Sequence, residues 1–233
     1  MGKTKKHRIS QRKTRRVLRK CQCETGCRRE AMPGGAMCLF HQNNGCVRVS
    51  PVSGAEPAFV PGLYNENKIV KDNYNCFAYA FDIRDNVAKH CGGKSPCTLS
   101  FHQPGAGSGF KKFKQMKKLQ CPDLAARLKA EVDGLKVATF DEKCPVGTSK
   151  IALVTDSDAD YHFYRQDRGG MWSHKPGGGA VTNRDAAGNQ IYDPALADRN
   201  YARQKKGTLN YENFCTYFCT PRTPVATRRV KRG

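Results

Sequence analysis

The sequence lacks a long hydrophobic run, and it is poor in acidic residues. Nowhere do its 233 residues contain the roughly 18 consecutive apolar residues that a membrane-spanning helix needs, so we predict no transmembrane segment. The N-terminal region is basic, but no apolar stretch follows it, so we also predict no secretory signal. Without such a signal, the 12 cysteines are expected to bind metal, to act in catalysis or to remain as reduced core thiols.

Positive charge, in contrast, is abundant and unevenly placed. The chain has 41 Lys and Arg against 20 Asp and Glu, which gives a formal net charge of +21. Residues 1–20 contain ten of the basic side chains and residues 222–232 contain five, with no acid in either segment. Such segments repel themselves and stay disordered until an anion neutralises them, and the released counterions make the binding tight and sensitive to salt.

The basic ends therefore predict a partner that is a polyanion, DNA or RNA, or an acidic capsid, membrane-proximal or other assembly surface. A solubilising or nuclear-targeting tail is the alternative. A further basic patch occupies residues 111–118. The side chains predicted to contact the nucleic acid or the assembly surface are Lys5, Lys6, Arg8, Arg12, Lys13, Arg15, Arg16, Arg19, Lys20, Lys111, Lys112, Lys114, Arg228, Arg229, Lys231 and Arg232.

The composition along the chain predicts five segments. They are a basic arm in residues 1–20, a cysteine–histidine module in 21–46, a proline-rich linker in 47–62, a globular domain in 63–220 and a basic C-terminal arm in 221–233.

Within the globular segment, helical patterns come first and strand patterns follow. Asn73 or Asn75 can cap a helix whose apolar face begins at Phe77, while Pro122 opens a second helix that Gly134 ends. Strands are predicted at residues 135–140, 150–155, 161–166, 171–174 and 214–219, with a hairpin turn at 167–170. This order predicts an α+β fold with an antiparallel sheet. In its last strand, Cys215 and Cys219 are predicted to share one face as core thiols, too far apart to bridge each other.

The cysteine–histidine module has the ligands of a zinc site. Cys38 and His41 can bring a thiolate and an imidazole to one ion, and Cys27 with Cys21 or Cys23 can complete a tetrahedron. A segment this short has little else to fold it, so bound zinc would supply the folding free energy. Disulfides in an oxidised particle are the alternative. Through Gly26, Cys27, Gly35, Cys38 and His41, the module resembles short zinc modules found in proteins of large DNA viruses.

A second constellation has the residues of a thiol hydrolase. Cys76 lies at the predicted start of a helix, where free backbone N–H groups and the helix dipole favour a thiolate. His162 begins one predicted strand, and His174 lies on the next strand across the hairpin turn. A catalytic thiol needs an imidazole from elsewhere in the fold and a third polar group that orients the imidazole.

This order of a thiol on a helix followed by histidines on strands resembles the papain-like fold, most of all its branch of bacterial cell-wall endopeptidases and amidases. It also resembles a little-studied family of large DNA viruses. The matching segments are residues 75–80, 160–167, 172–177, 181–183, 185, 188 and 217–218. The resemblance implies that Cys76 is the nucleophile, with its backbone N–H in an oxyanion hole, that His162 is the general base and that His174 orients it.

Two functions are expected from these features. The first is a virion-associated structural protein that uses a papain-like domain as a scaffold and its basic arms to reach DNA, an acidic shell or other virion proteins. The alternative is an active thiol hydrolase, a peptidase or amidase, that the same arms deliver. The placement of charge favours the first function and a location in the virion, while a protein outside a particle would be cytoplasmic or nuclear.

Overall fold

The computed structural model describes residues 48–92, 96–97, 99–110, 120–156, 160–203, 209–222 and 229–230. The chain divides into two compact units, Met1–Arg48 and Val49–Gly233, and the described residues belong almost entirely to the second. The N-terminal basic arm, the cysteine–histidine module and the basic patch at 111–118 lie outside the described residues. Of the C-terminal basic residues, only Arg222 and Arg229 are described.

Most of the helices come before the strands of the main sheet along the chain, as the sequence predicted. The helices are α1 (Gly62–Asn65), α2 (Lys68–Asn73), α3 (Cys76–Ala80), α4 (Val87–His90) and α5 (Cys121–Glu131), with a 3-10 turn at Tyr201–Arg203. Asparagines at the N-caps of α2, α3 and α4 accept hydrogen bonds from backbone N–H groups that the first turn leaves free. The side chain of Asn75, for example, accepts from the Ala78 N–H at 3.0 Å, and this fixes where the Cys76 helix begins.

The strands form an antiparallel sheet, so the α+β prediction is confirmed. β2 (Lys136–Ala138), β3 (Thr148–Asp156), β4 (Asp160–Gln166), β5 (Trp172–His174) and β6 (Asn213–Pro221) pair in the order β2-β6-β3-β4-β5. β1 (Phe101–His102) and β7 (Arg229–Val230) form a separate two-stranded sheet. Each predicted strand lies close to an observed one, because short runs rich in β-branched and aromatic residues, bounded by glycine, proline and aspartate, favour strands.

The five-stranded sheet buries both of its faces. On one face, which we call the helical face, Ile151, Leu153 and Phe163 pack against α3 and α5. On the other, which we call the loop face, Val154, Tyr164 and Trp172 pack against the irregular chain that contains Ile191 and Tyr211. Successive residues of a strand point to opposite sides, so neighbouring positions of β4 contribute to different cores.

Disulfides hold elements onto both faces, against the expectation of reduced core thiols. The bonds are Cys91–Cys97, Cys121–Cys215 and Cys144–Cys219, and the only free cysteine in the described part of the chain is Cys76.

The prediction that Cys215 and Cys219 share a face is wrong because of a β-bulge. The register of β6 against β3 shifts between Leu153 and Val154, so β6 carries one extra residue there. This residue reverses the alternation along the strand. Cys215 consequently packs on the helical face, and Cys219 packs on the loop face.

The segment predicted to be a proline-rich linker packs on the domain instead. The backbone carbonyl of Ser50 accepts from the Gln166 side chain at 2.7 Å, and the Ser50 hydroxyl donates to the Phe140 carbonyl at 2.7 Å. Lys150, on β3, is fully buried and donates to the Ser50 hydroxyl at 2.6 Å. The proline-containing segment is therefore an extended part of the domain that packs against the sheet, and it is not a flexible linker.

Candidate functional site

The Cys76 thiol is buried under its own helix. Only 5% of the residue is exposed, and its Sγ donates to the backbone carbonyl of Tyr161 at 3.9 Å. Burial raises the pKa of the thiol, and the negative charge of Asp160 adds to this effect, so the neutral form is favoured. The sequence predicted the opposite, a thiolate stabilised by the helix start. The helix has five residues, and desolvation outweighs its N–H groups.

The two histidines do meet, on the loop face of the sheet. His162 Nε2 lies 2.8 Å from His174 Nδ1, and His174 Nε2 lies 2.9 Å from the backbone carbonyl of Arg184. A carbonyl only accepts, so His174 carries its proton on Nε2 and His162 donates to it. Burial lowers the pKa of His174 to about 4 and that of His162 well below its usual value, so both rings are neutral.

Cys76 and His162 have different packing partners in the described part of the chain. Cys76 packs with Tyr161 and Phe163, the odd-numbered residues of β4, which face the helical side. His162 lies between them and faces the other side, where its ring contacts Tyr164 at a centroid distance of 5.1 Å. Cys76 thus lies on α3 in the core of the helical face, whereas His162 extends from β4 toward the loop face. The second pair of the predicted triad, His162 with His174, is present, while a catalytic pairing of Cys76 with His162 stays a prediction.

The β4 segment that carried the family resemblance instead forms a buried polar network. Arg165 lies flat against the Tyr79 ring at 3.9 Å and pairs with Asp167 at 3.1 Å. The Tyr79 hydroxyl accepts from Arg165 at 2.8 Å and contacts the Ser173 hydroxyl at 2.7 Å. These contacts anchor α3 to β4 and β5, so this part of the motif has a folding role that the sequence interpretation missed.

Lys175 is a further buried charged side chain that forms hydrogen bonds inside the domain. The residue is fully buried, and its ammonium, which has three N–H donors, lies within hydrogen-bonding distance of four backbone carbonyls, among them those of Tyr74 at 2.7 Å and of Gly177 and Gly179 at 2.9 Å each. The carbonyls of α2 and of the glycine-rich turn thereby find a donor that neither element supplies. Burial lowers the pKa of Lys175 to about 8.

The C-terminal basic residues that the structure describes are bound to the domain. Arg222 is mostly buried and donates to the Ala80 carbonyl at 3.1 Å. Arg229, predicted to contact an external anion, forms a two-pronged pair with Asp85, with Nε at 2.6 Å and Nη2 at 2.8 Å from its oxygens. For Arg229 the prediction of a free arm is wrong, because an internal carboxylate already neutralises it.

The predicted zinc ligands Cys21, Cys23, Cys27, Cys38 and His41 lie outside the described residues, so zinc stays a prediction. In the part of the chain that the structure describes, no group of three or more His, Cys, Asp or Glu side chains could hold a metal ion. The same residues contain no helix that is long and apolar enough to cross a membrane.

Comparison with known proteins gives one informative relative. Neither a family model nor a solved structure matches this chain. A protein of Ruditapes philippinarum named Insoluble matrix shell protein 1 is 34% identical to it over 141 residues, which make up 60% of this chain and 80% of that protein. At this identity and coverage, the chain belongs to the family of Insoluble matrix shell protein 1.

Proposed function

We propose that the protein is a structural component of an insoluble, assembled matrix, in which a covalently braced domain is attached to acidic partners by basic segments. The relative's name supports the matrix role. The observation that carries the proposal is the double anchorage of β6. One disulfide fixes this interior strand to α5 on the helical face, and another fixes it to the Cys144 loop on the loop face.

The arrangement of the thiol and the histidines argues for this role and against hydrolysis. A thiol hydrolase needs its sulfur within hydrogen-bonding reach of an imidazole. Here Cys76 and His162 belong to different cores, and each is at least 95% buried. The residues of the resemblance motif are instead engaged in packing and internal hydrogen bonds. Papain-like ancestry and a viral origin remain predictions, and a domain can keep an enzyme's shape without its chemistry.

The distribution of charge supports attachment through segments outside the described domain. The described residues contain 18 Lys and Arg and 17 Asp and Glu, so the domain is almost neutral. The remaining residues contain 23 Lys and Arg and three acids. A neutral domain has no long-range attraction for a polyanion, whereas segments of one sign bind acidic surfaces by releasing counterions. We expect an acidic protein or polymer of the matrix as the partner.

Disulfides also bear on where the protein works. Such bonds persist in oxidising surroundings such as extracellular spaces and are rare in the cytosol. An extracellular or otherwise oxidised matrix fits three bonds in one small domain. The location in a virion that the sequence suggested stays a prediction, and an oxidised particle would satisfy the same chemistry.

Binding of the full-length protein to immobilised poly-aspartate tests the proposal. Replacing Arg12, Lys13, Arg15 and Arg16 by Gln should weaken the binding and lower the slope of log affinity against log salt by roughly 3, taking about 0.7 per lost contact as for a single-stranded polyanion. The matched control replaces exposed lysines of the domain by Gln at Lys89, Lys129, Lys136 and Lys143, and should change the slope by less than about 1. Equal effects of both variants would contradict attachment through the basic segments. Tight binding to a DNA duplex but not to poly-aspartate would favour a nucleic-acid partner instead.

A further inference from the structure

An apolar pocket lies between α1, α2 and the start of α4, and its volume is about 260 Å³. Leucine, valine and tyrosine side chains form most of its lining, namely Leu63, Tyr64, Val70, Tyr74 and Val87. An apolar cavity of about 150 Å³ is sufficient for benzene, whereas drug-sized ligands need about 300 Å³ or more. The pocket therefore has room for one ring with a short attachment and is too small for a larger ligand.

The two tyrosines offer their rings to the pocket, because their hydroxyls are engaged inside the domain. The Tyr64 hydroxyl donates to the Asp82 carboxylate at 3.4 Å, and the Tyr74 hydroxyl donates to the backbone carbonyl of Asp85 at 2.5 Å. The two rings meet edge to face with their centroids 6.0 Å apart. Aromatic rings in such arrangements attract a further aromatic ring more strongly than an aliphatic group of the same size.

The charges in the lining have partners within the domain. The Arg84 guanidinium lies over the Tyr64 ring at 6.0 Å, and its Nε donates to Asp82 at 2.9 Å. Asp82 is the only residue other than glycine with a positive φ, 53°, in the described part of the chain. Both oxygens of Asp85 accept from Arg229. The pocket thus favours an uncharged ligand, while the flat face of a guanidinium can still stack on an aromatic ring.

An exposed apolar rim continues the pocket lining onto the surface. Phe59, Val60 and Leu63 are 36%, 46% and 55% exposed. Leu63 belongs both to the rim and to the lining, and its N–H donates to the Val60 carbonyl at 3.3 Å. A small molecule in the pocket would leave this rim in water. A ring carried on an apolar peptide can cover the rim with the residues beside it, as aromatic anchors do in protein interfaces.

We propose that this pocket binds an aromatic side chain of a partner protein, carried on an uncharged, apolar segment. The ring packs against Tyr64 and Tyr74 and beside Arg84, and its neighbours in the partner cover the apolar rim. The site goes beyond attachment through the basic segments, because it requires no charge on the partner. The two contacts also differ in their response to salt, which weakens binding to an acidic partner and leaves apolar burial intact.

Titration of peptides into the isotope-labelled, full-length protein tests the site. About 0.5 M salt screens the basic segments. An uncharged heptapeptide with one phenylalanine between two valines should shift the backbone NMR signals of Leu63, Val70 and Tyr74, with a Kd of about 1 mM or lower. Alanine in place of the phenylalanine should weaken binding at least about tenfold, because the buried ring is lost. Cyclohexylalanine, which is similar in size but not aromatic, should weaken binding about threefold or more.

Variants of the pocket locate the binding. Leu63→Ser should weaken binding of the phenylalanine peptide about threefold or more, and the exposure of Leu63 means that the core stays intact. Arg84→Gln should reduce the preference for phenylalanine over cyclohexylalanine, because the guanidinium no longer contacts the ring. The matched controls are Leu196→Ser, at a residue that is 85% exposed, and Arg203→Gln, which removes an exposed pair with Asp198. Both should bind like the wild type.

Three results would overturn the proposal. The first is equal affinity of the wild type for the phenylalanine and alanine peptides, and the second is an equal effect of Leu63→Ser and Leu196→Ser. The third is binding of free 4-methylphenol as tightly as the phenylalanine peptide, which would make the ligand a small molecule and not a partner protein. The poly-aspartate assay reports on the basic segments separately, so failure of one contact does not imply failure of the other.

Discussion

The two faces of the five-stranded sheet bury polar groups in different ways. On the helical face, Arg165 and Asp167 are charged partners beneath α3. On the loop face, His162 and His174 are neutral rings that share one hydrogen bond beneath irregular chain. On each face, one disulfide joins the covering chain to β6. The comparison teaches that one strand can supply a charge-paired core from its odd-numbered residues and a neutral polar core from its even-numbered residues.

Removing either of the two disulfides that join β6 to the helical face or to the loop face should lower the free energy of unfolding the most. Loop-closure entropy assigns about 4.5 kcal/mol to a bond spanning 94 residues, as in Cys121→Ser with Cys215→Ser, and nearly the same to one spanning 75, as in Cys144→Ser with Cys219→Ser. Urea unfolding of both double variants measures this. Cys91→Ser with Cys97→Ser, which opens a loop of six, should cost only about 2 kcal/mol. Clearly unequal costs for the two long loops would mean that one face stays folded when the other opens.

Breaking the Arg165–Asp167 ion pair should cause the second-largest loss of folding free energy, and it should do so on the helical face. Arg165→Met leaves Asp167 buried without its partner and should cost about 4 kcal/mol in urea unfolding. Adding Asp167→Leu should restore part of this loss, since an apolar pair carries no desolvation penalty. Lys68→Met, which removes an exposed ion pair with Asp72, should cost less than about 1 kcal/mol. A comparable cost for Lys68→Met would contradict the distinction between buried and exposed pairs.

Acid should destabilise the loop face. The pKa of His174 is about 4 in the folded protein and 6.5 in an ordinary histidine, so between these values the unfolded chain binds a proton that the folded chain does not. Stability is therefore complete above about pH 6.5 and falls by about 3 kcal/mol as the pH approaches 4. His162 shifts in the same direction. Thermal unfolding midpoints between pH 8 and 4 measure the slope.

His174→Gln should flatten that slope, because glutamine can contact the Arg184 carbonyl but does not titrate. The matched control is Ala126→Gln on the exposed side of α5, which introduces a glutamine without removing a titrating group and should leave the slope unchanged. An unchanged slope in His174→Gln would mean that the acid sensitivity comes from other groups.

The smallest effect is expected from the thiol that the sequence marked as catalytic. Cys76→Ala removes a buried sulfur and should cost about 1 kcal/mol. In the native chain, Cys76 should react with iodoacetamide at least about 1000-fold more slowly than in urea, because the sulfur becomes accessible only on opening. Mass spectrometry of the peptide that contains Cys76 measures the two rates. Rapid alkylation of the folded protein would revive the hydrolase hypothesis.

The sequence was sufficient for the elements but not for the pairing of their side chains. The strands and the helix caps follow from local periodicity and asparagines, which act within a few residues. The side of β4 on which His162 lies was also encoded locally, since apolar Tyr161 and Phe163 flank it and mark the helical core. The disulfides were not predictable this way. Their partners are up to 94 residues apart, and a bulge whose position depends on β3 decides the direction of Cys215.

The bond between Cys121 and Cys215 has a mechanical consequence for a protein under tension. A pull on the two chain ends passes from α5 directly through sulfur to β6 and bypasses the backbone between them. Strands β2 to β5 lie inside this bypassed loop and carry no load while the bond lasts. Its 94 residues amount to about 320 Å of extended chain, a hidden length that stretching cannot release. Because Cys144–Cys219 bypasses most of the same residues, both bonds would have to be reduced before the stiff link became a long extensible one.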